Sequence, residues 1–375
     1  MIIFRYLSKE IATAVFATTL VLLIIFVSNQ FVHYLNDAAS GKITVSAVMV
    51  VTGVQIPMLL GYMLPLGLFL GILLTFGRMY VDHEMIVLFS CGVSKVRIVK
   101  MVMAVAICFT LIDGWLMLIV EPDMFRYRTE VVVHSVESAT LQKVLPGRFQ
   151  PLGNDNRVLY AGEVGKKRQK YGDIFVAIRN NPGDEPSVSN QWDILTASSV
   201  RELTIPGNGI FFAFDNGTRY TGAPGAKQYE VLNFGHYWAR LPVPKVSLSG
   251  RYSAMPTGAL IKLYSHDRLA VAELQWRLVI VFSTLIFALL AIPLSEVNPR
   301  KGKFAQLLPA ILIYVAYANM MFVGKSWIQQ GQINLAFGLW WILAVLLALT
   351  LILYLYQSRR RSLLRWLRLK KTVTP

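Results

Sequence analysis

Asp113 stands inside a long apolar run, where a carboxylate is costly unless it is protonated, paired or facing a cavity. Glu273 and Arg277 lie four apart, in the order that favours an intrahelical ion pair, and that spacing reads first as structural. Lys42 and Lys325 differ, because each stands at the end of an apolar run, where a long cationic side chain would meet a phosphate. None of these groups makes a catalytic set. GxxxxGK[ST] is absent, and Gly222 to Lys227 lacks both its spacing and its hydroxyl residue. HExxH, paired CxxC and GxSxG are missing too, and His134 and His236 have no Cys partner or acid-nucleophile pattern near them. No cofactor or metal site is expected, and any nucleotide-driven work would come from another subunit.

A second kind of chemistry is mechanical. In Tyr80 to Ser94 the residues predict a short helix over about 81–92: Asp82 fits the N-cap, Gly92 the left-handed position past the end, and Ser94 can cap the helix that follows. Val81, Met85, Leu88 and Phe89 share one face, and Asp82, His83 and Glu84 gather at the start. A helix this short is held by burying its apolar face against a partner or neighbouring spans. The competing picture is a helix lying on the membrane, but its acidic start disfavours contact with an anionic leaflet.

The elements that position these groups follow from composition. Of 375 residues 55% are hydrophobic and 15% charged, with mean hydropathy +0.50, which is more apolar surface than a soluble core buries. The formal charge of +16 comes from Lys and Arg just outside apolar runs, as anionic headgroups favour, and no helix-turn-helix, RRM or zinc-finger pattern points to nucleic acid. Six segments are long enough to span a bilayer: 11–32, 48–76, 98–120, 274–294, 304–323 and 334–356. The first follows Arg5 and Lys9 and shows no cleavage site, so it reads as a retained span. Arg78, Lys95, Arg97, Lys100, Arg300, Lys301, Lys303 and the basic tail 359–375 fall on the same side as the N-terminus, which the positive-inside bias makes cytoplasmic. Pro57 and Pro65 predict a bent second span, either beside a pathway or simply suited to packing.

Between the third and fourth spans the pattern changes. Short apolar runs such as 158–161, 174–178, 210–214 and 229–234 alternate with turn formers at 153–155, 180–184, 206–209 and 222–225, which predicts an antiparallel sandwich, jelly roll or barrel of about 120 residues facing away from the cytoplasm. Cys91 and Cys108 lie outside it, so it folds without disulfides. The domains then run 1–125 (three spans and the loop helix), 126–266 (the β insert), 267–358 (three spans) and 359–375.

Ala272-Glu273-Leu274-Gln275-Trp276-Arg277, Ala291-Ile292-Pro293-Leu294-Ser295-Glu296-Val297-Asn298-Pro299-Arg300-Lys301-Gly302, Ile3-Phe4-Arg5-Tyr6-Leu7, Glu84 to Ser94 and Glu121-Pro122 together resemble the LptF/LptG permeases of lipopolysaccharide export, Asn298-Pro299-Arg300 and Ala-Glu-Leu pointing to the F-type branch. The resemblance is specific in the spans and loose in the insert. It implies an α-helical membrane protein with six transmembrane helices and a periplasmic β-jellyroll in the bacterial inner membrane. It implies as partners a G-type homologue (LptG), two copies of a cytoplasmic ATPase (LptB) and a single-span periplasmic protein (LptC). Lipopolysaccharide would enter between the first span of one permease and the fifth of the other, against Leu22, Ile25, Phe26 and Phe31, and Ile313, Tyr317, Met320 and Met321. Lys42, Lys325 and, more weakly, His33 are expected at lipid A phosphates by charge and depth. Glu84, supported by Asp82, Met85, Leu88 and Gly92, would couple to the ATPase.

Two other readings compete. A mechanotransmission subunit would share the insert and the coupling helix without carrying lipid. An intramembrane enzyme or proton-driven carrier would use Asp113, but no second acid or base is expected at similar depth.

Overall fold

A computed structural model describes residues 2–39, 43–142, 146–151, 157–164, 170–179, 191–205, 209–225, 227–240, 248–264, 267–296, 306–335 and 337–371. Lys42, the 298–302 stretch and most of the turn formers at 153–155, 180–184 and 206–209 lie outside the described residues. The chain divides into two compact units, one made of 1–29, 54–127 and 247–375, the other of 30–53 and 128–246.

The apolar runs become helices: α1 (Ile2–Ala39), α2 (Val45–Val81), α3 (Glu84–Ser90), α4 (Lys95–Trp115), α5 (Glu121–Gln142), α6 (Leu248–Ser253), α7 (Thr257–Leu263), α8 (Arg268–Leu294), α9 (Leu307–Gln330) and α10 (Trp340–Lys371). Three of the crossings between the units fall within α1, α2 and α5. A π-helical turn, Leu116–Val120, joins α4 to α5, so helix continues to Gln142, well past the expected start of the insert at 126. Among the described residues six helices are long and apolar enough to cross a membrane, α4 and α5 counting as one.

The core of this unit forms around α8, which is apolar on nearly every side and correspondingly buried. Its Phe287 packs on Phe69 of α2 at 5.1 Å and on Tyr314 and Tyr317 of α9 at 5.3 and 5.0 Å. Helix α1 meets α2 through a tight crossing. A Cβ on Gly71 would fall 2.8 Å from the Val15 backbone, and one on Gly67 would strike Thr19. In membranes, where apolar burial alone does not distinguish helix from lipid, such small residues let backbones approach. The Thr18 hydroxyl adds a 3.0 Å bond to the Gly67 carbonyl.

The second unit holds six strands, β1 (Phe149–Pro151), β2 (Arg157–Val164), β3 (Lys170–Arg179), β4 (Trp192–Ile205), β5 (Gly209–Gly222) and β6 (Tyr229–Arg240), paired antiparallel in the order of the chain. An inserted all-β domain is as expected. The described strands form a single meander, and the Greek-key crossing of a jelly roll is not among their pairings.

A crease takes the place of a second sheet. Gly162, Asp173, Ser198, Asn216 and Gly235 stand in one row across β2 to β6, and the ladder pairings skip that row at every junction. Asp173 and Asn216 have φ of 49° and 48°, a conformation that short polar side chains tolerate. Strict alternation would send Tyr171 and Ile174, or Ala197 and Val200, to opposite faces. All four lie in the same core cluster with Leu195, Phe212 and Phe214. The left-handed residues therefore reverse the alternation and let one meander bend around its own apolar side. Separately within this unit, Tyr34, Ala38, Ile43, Val48 and Val51 form a small apolar cluster with Phe31, Val131 and Val132.

Gly71→Val places two methyl groups against the Val15 backbone and is expected to cost about 1–3 kcal/mol through overpacking. The measurement is the thermal midpoint of detergent-solubilised protein. An unchanged midpoint would mean that the α1–α2 crossing is loose.

Candidate functional site

The loop helix forms, with its start shifted. Asp82 is not its N-cap: α2 continues to Val81, His83 turns left-handed at φ 61°, and α3 begins at Glu84 without a side-chain cap. Gly92 has φ +83° as expected, and Ser94 caps α4 by accepting from the Arg97 backbone N–H at 3.3 Å. Met85 is buried, and Leu88 and Phe89 are packed beside it, in the same core as Leu7, Ile11, Phe76 and Met79, so neighbouring helices cover this face. Ile86 and Val87 point out, 54% and 59% exposed, beside exposed Cys91.

Hydrogen bonds tie this region to its surroundings. The Tyr6 hydroxyl of α1 donates to Glu84 Oε2 at 2.8 Å, and Arg78 Nη2 of α2 pairs with Glu10 Oε2 at 2.6 Å. Lys95 at the start of α4 pairs with Glu296 beyond the end of α8, which also accepts from the Tyr80 hydroxyl at 3.2 Å. Burial holds the Glu296 carboxyl above the usual carboxylate range, with the Tyr80 hydrogen bond opposing it.

At the N-terminal part of α8 the segment from Ala272 to Arg277 gathers a buried charge cluster. Arg277 is fully buried and uses its whole guanidinium. Its Nη1 donates to the Met255 carbonyl and to Thr257 Oγ1, both at 3.1 Å, its Nη2 to the Ser253 carbonyl at 2.9 Å, and its Nε faces Glu273 Oε1 at 3.4 Å. Thr257 in turn donates to the Leu118 carbonyl within the π-helical turn at 2.5 Å. A π turn disrupts the regular α ladder, and here one of its carbonyls serves α7. On the other side of Glu273, Oε2 meets Lys325 Nζ of α9 at 2.7 Å, and the ammonium lies 4.6 Å from the Trp276 ring centroid. Gln275 locks α8 to the segment after α9, donating to the Leu335 carbonyl and accepting from the Leu339 N–H, each at 2.9 Å.

Two further acids are buried in the spans. Asp113 accepts from the Thr284 hydroxyl at 2.8 Å while its Oδ1 has no partner among the described residues. Glu121 accepts from the Tyr62 hydroxyl, and its Oε2 has none either. Asp113 is therefore not the lone buried acid of the third span, which α4 and α5 form together. Glu121 reads in sequence as a residue at the span's exit, but the helix runs on and buries it to 4% exposure.

The expected lipid-binding residues separate by face. Ile25 and Phe26 are 58% and 41% exposed, part of an outward strip with Phe16, Leu20, Val21 and Ile24. His33 is exposed, Ile313 is half-buried and Met320 is 40% exposed. Tyr317 and Met321 are a correction: at 7% and 2% exposure they face Phe287 and the core, because α9 turns its 310–317–321–328 face inward and its Leu308, Leu312 and Phe322 outward. Lys325 is likewise not a free cation but the partner of Glu273. Among the described residues no group of three or more His, Cys, Asp or Glu could hold a metal. In the second unit His236 is exposed and bonds Asp215 at 2.8 Å; that contact and the Arg201 guanidinium hold the Asp215 carboxyl below its usual range.

The family model described as lipopolysaccharide export system permease LptF/LptG matches residues 5–356. The chain belongs to this permease family. It is 30% identical over 359 residues to the lipopolysaccharide export system permease protein LptF of Escherichia coli K12, covering 96% of each chain, and equally to that of Shigella flexneri. To LptG of Haemophilus influenzae it is 29% identical over 113 residues, 29% of this chain and 32% of the relative. The LptF likeness thus runs end to end, and the protein is a multi-pass inner-membrane permease.

The residues that sequence reasoning undervalued in this permease are Glu273, Arg277, Thr257 and Glu121. A four-residue spacing signalled an ordinary pair, and nothing local marks Thr257 or Lys325 as its partners. Arg277→Leu removes the donor to the Tyr252, Ser253 and Met255 carbonyls and leaves Glu273 with Lys325 alone; breaking a buried pair on one side costs about 3–5 kcal/mol. The expected outcome is loss of folded protein on size-exclusion chromatography in detergent. Wild-type yield and thermal stability would show that the cluster is dispensable for folding.

Proposed function

We propose that this chain is the F-type permease half of an ATP-driven exporter that takes lipopolysaccharide from the outer leaflet of the inner membrane and passes it towards a periplasmic bridge. The observation that carries this reading is the end-to-end likeness to LptF, which takes in the spans, the β insert and the loop helix together. The partners would be a G-type homologue (LptG), two copies of the ATPase (LptB), which alone hydrolyses ATP, and the single-span protein LptC. Both termini lie in the cytoplasm in this reading, by the excess of Lys and Arg beside them, and the sheet lies in the periplasm.

Lipid approaches the outward strip of α1, where Ile25 and Phe26 are bare of intramolecular cover, and the exposed face of α9 beside Ile313. Lys42, Lys325 and, more weakly, His33 meet its phosphates. On the cytoplasmic side α3 offers the ATPase an acid, Glu84, next to bare Ile86 and Val87. Asp82, Met85, Leu88 and Gly92 hold that helix in place. Because α3 is packed into the helical core through Met85 and tied to α1 through Tyr6, movement imposed on it passes directly to the strip that faces the lipid.

Photocrosslinking from Phe26 in the reconstituted complex is expected to capture lipopolysaccharide. Absence of any lipid adduct would favour pure mechanotransmission. Glu84→Arg is expected to lower ATP-driven lipid release about tenfold, the scale of one lost charge-assisted contact, while the complex still assembles. Normal release by that variant would remove Glu84 from the coupling contact.

A further inference from the structure

The ion pair between Glu273 and Lys325 bears directly on how a permease of this kind handles an anionic lipid. Glu273 is 3% exposed and divides its carboxylate between two cations, Oε1 towards Arg277 and Oε2 towards Lys325. The cations are not equivalent. Arg277 is held in place by the Ser253 and Met255 carbonyls and by Thr257, with no exposed surface. Lys325 has one ion-pair partner and a ring beneath it, its side chain is 21% exposed, and its flexible four-carbon stem can swing.

We infer that Glu273 is a resident counter-ion that holds Lys325 in reserve and gives it up to a phosphate monoester of the incoming lipid. This rests on the reading of Lys325 as a phosphate contact, and it adds what that contact does before the lipid arrives. An unpaired ammonium beside hydrocarbon would be costly at rest, and the carboxylate removes that cost. When a phosphate arrives, carrying more charge than a carboxylate, Lys325 can turn to it while Glu273 stays paired with Arg277. No buried charge is orphaned in either state. The second cation on Glu273 thus makes the exchange reversible, so that the lipid can leave again when the carboxylate reclaims Lys325. Trp276 lies under the ammonium at rest, and Phe322, 65% exposed and 5.2 Å from the Trp276 ring, borders the place where the lipid would lie.

The test is photocrosslinking from a benzoylphenylalanine at Phe322 in the full complex without nucleotide, using lipopolysaccharide with intact or enzymatically removed lipid A phosphates. Wild type is expected to capture the phosphorylated lipid preferentially. Glu273→Gln, whose amide oxygen still accepts from Arg277, is expected to capture it about tenfold more, as one competing ion pair is lost, and to release it poorly on ATP addition. Capture of the dephosphorylated lipid should not change. Glu273→Asp, which draws the carboxylate back by one methylene, should fall between and guards against a folding defect in the first variant. If Lys325→Gln lowers capture but neither Glu273 variant raises it, the counter-ion role is overturned while the phosphate contact stands. If Lys325→Gln leaves capture unchanged, the underlying reading of Lys325 fails, and the inference with it. Equal wild-type capture of the intact and the dephosphorylated lipid would overturn the lipid phosphate as the group that takes Lys325.

Discussion

Charge buried among apolar helices must be paired, and in this permease one carboxylate, Glu273, bears most of that constraint. Through Arg277 it fastens α8 to the ends of α6 and α7. Through Thr257 the same network reaches the π-helical turn between α4 and α5, and through Lys325 it reaches α9. Four parts of the helical unit are thereby registered to one another at a single depth. Hydrocarbon burial could not do this, since an apolar side chain gains little by choosing a neighbouring helix over lipid. Directional bonds in a low-dielectric setting supply the register.

The contrast between α1 and α2 shows the complementary rule. From Met63 to Met79 helix α2 is covered on almost every side, whereas α1 touches its neighbours at Leu7, Ile11, Val15 and Thr19 and leaves Phe16 to Phe26 largely bare on its other face. The close approach at Gly67 and Gly71 makes that contact narrow and rigid. A helix held along one narrow stripe can present the rest of its surface to lipid or to a second permease. Its N-terminal end is tied to α3 through Tyr6 and Glu84.

Sequence was most informative where physical signals are local. Apolar length gave the six spans, turn formers separated the strands, and Gly92 and Ser94 were legible as the stop of one helix and the cap of the next. Asp82 misled because its capping potential competed with continuation of α2 to Val81, and tertiary burial of Met79 and Met85 decided the outcome. The crease at Asp173 and Asn216 was not legible, since a polar residue within a strand pattern ordinarily marks a solvent-facing position. Tyr317 and Met321 were expected to face lipid because hydropathy cannot tell the core side of a membrane helix from the lipid side.

What the sequence by itself determined is therefore the inventory: six apolar spans with an inserted β domain, a short loop helix, and a few ionisable groups at membrane depth. Each is set by composition, period or capping chemistry within a few residues of itself. Only the tertiary structure decided the pairings. Glu273 and Lys325 stand 52 positions apart, and Thr257 and Leu118 stand 139 apart. Which cation a buried carboxylate holds depends on how helices rotate and approach, and no local pattern encodes that.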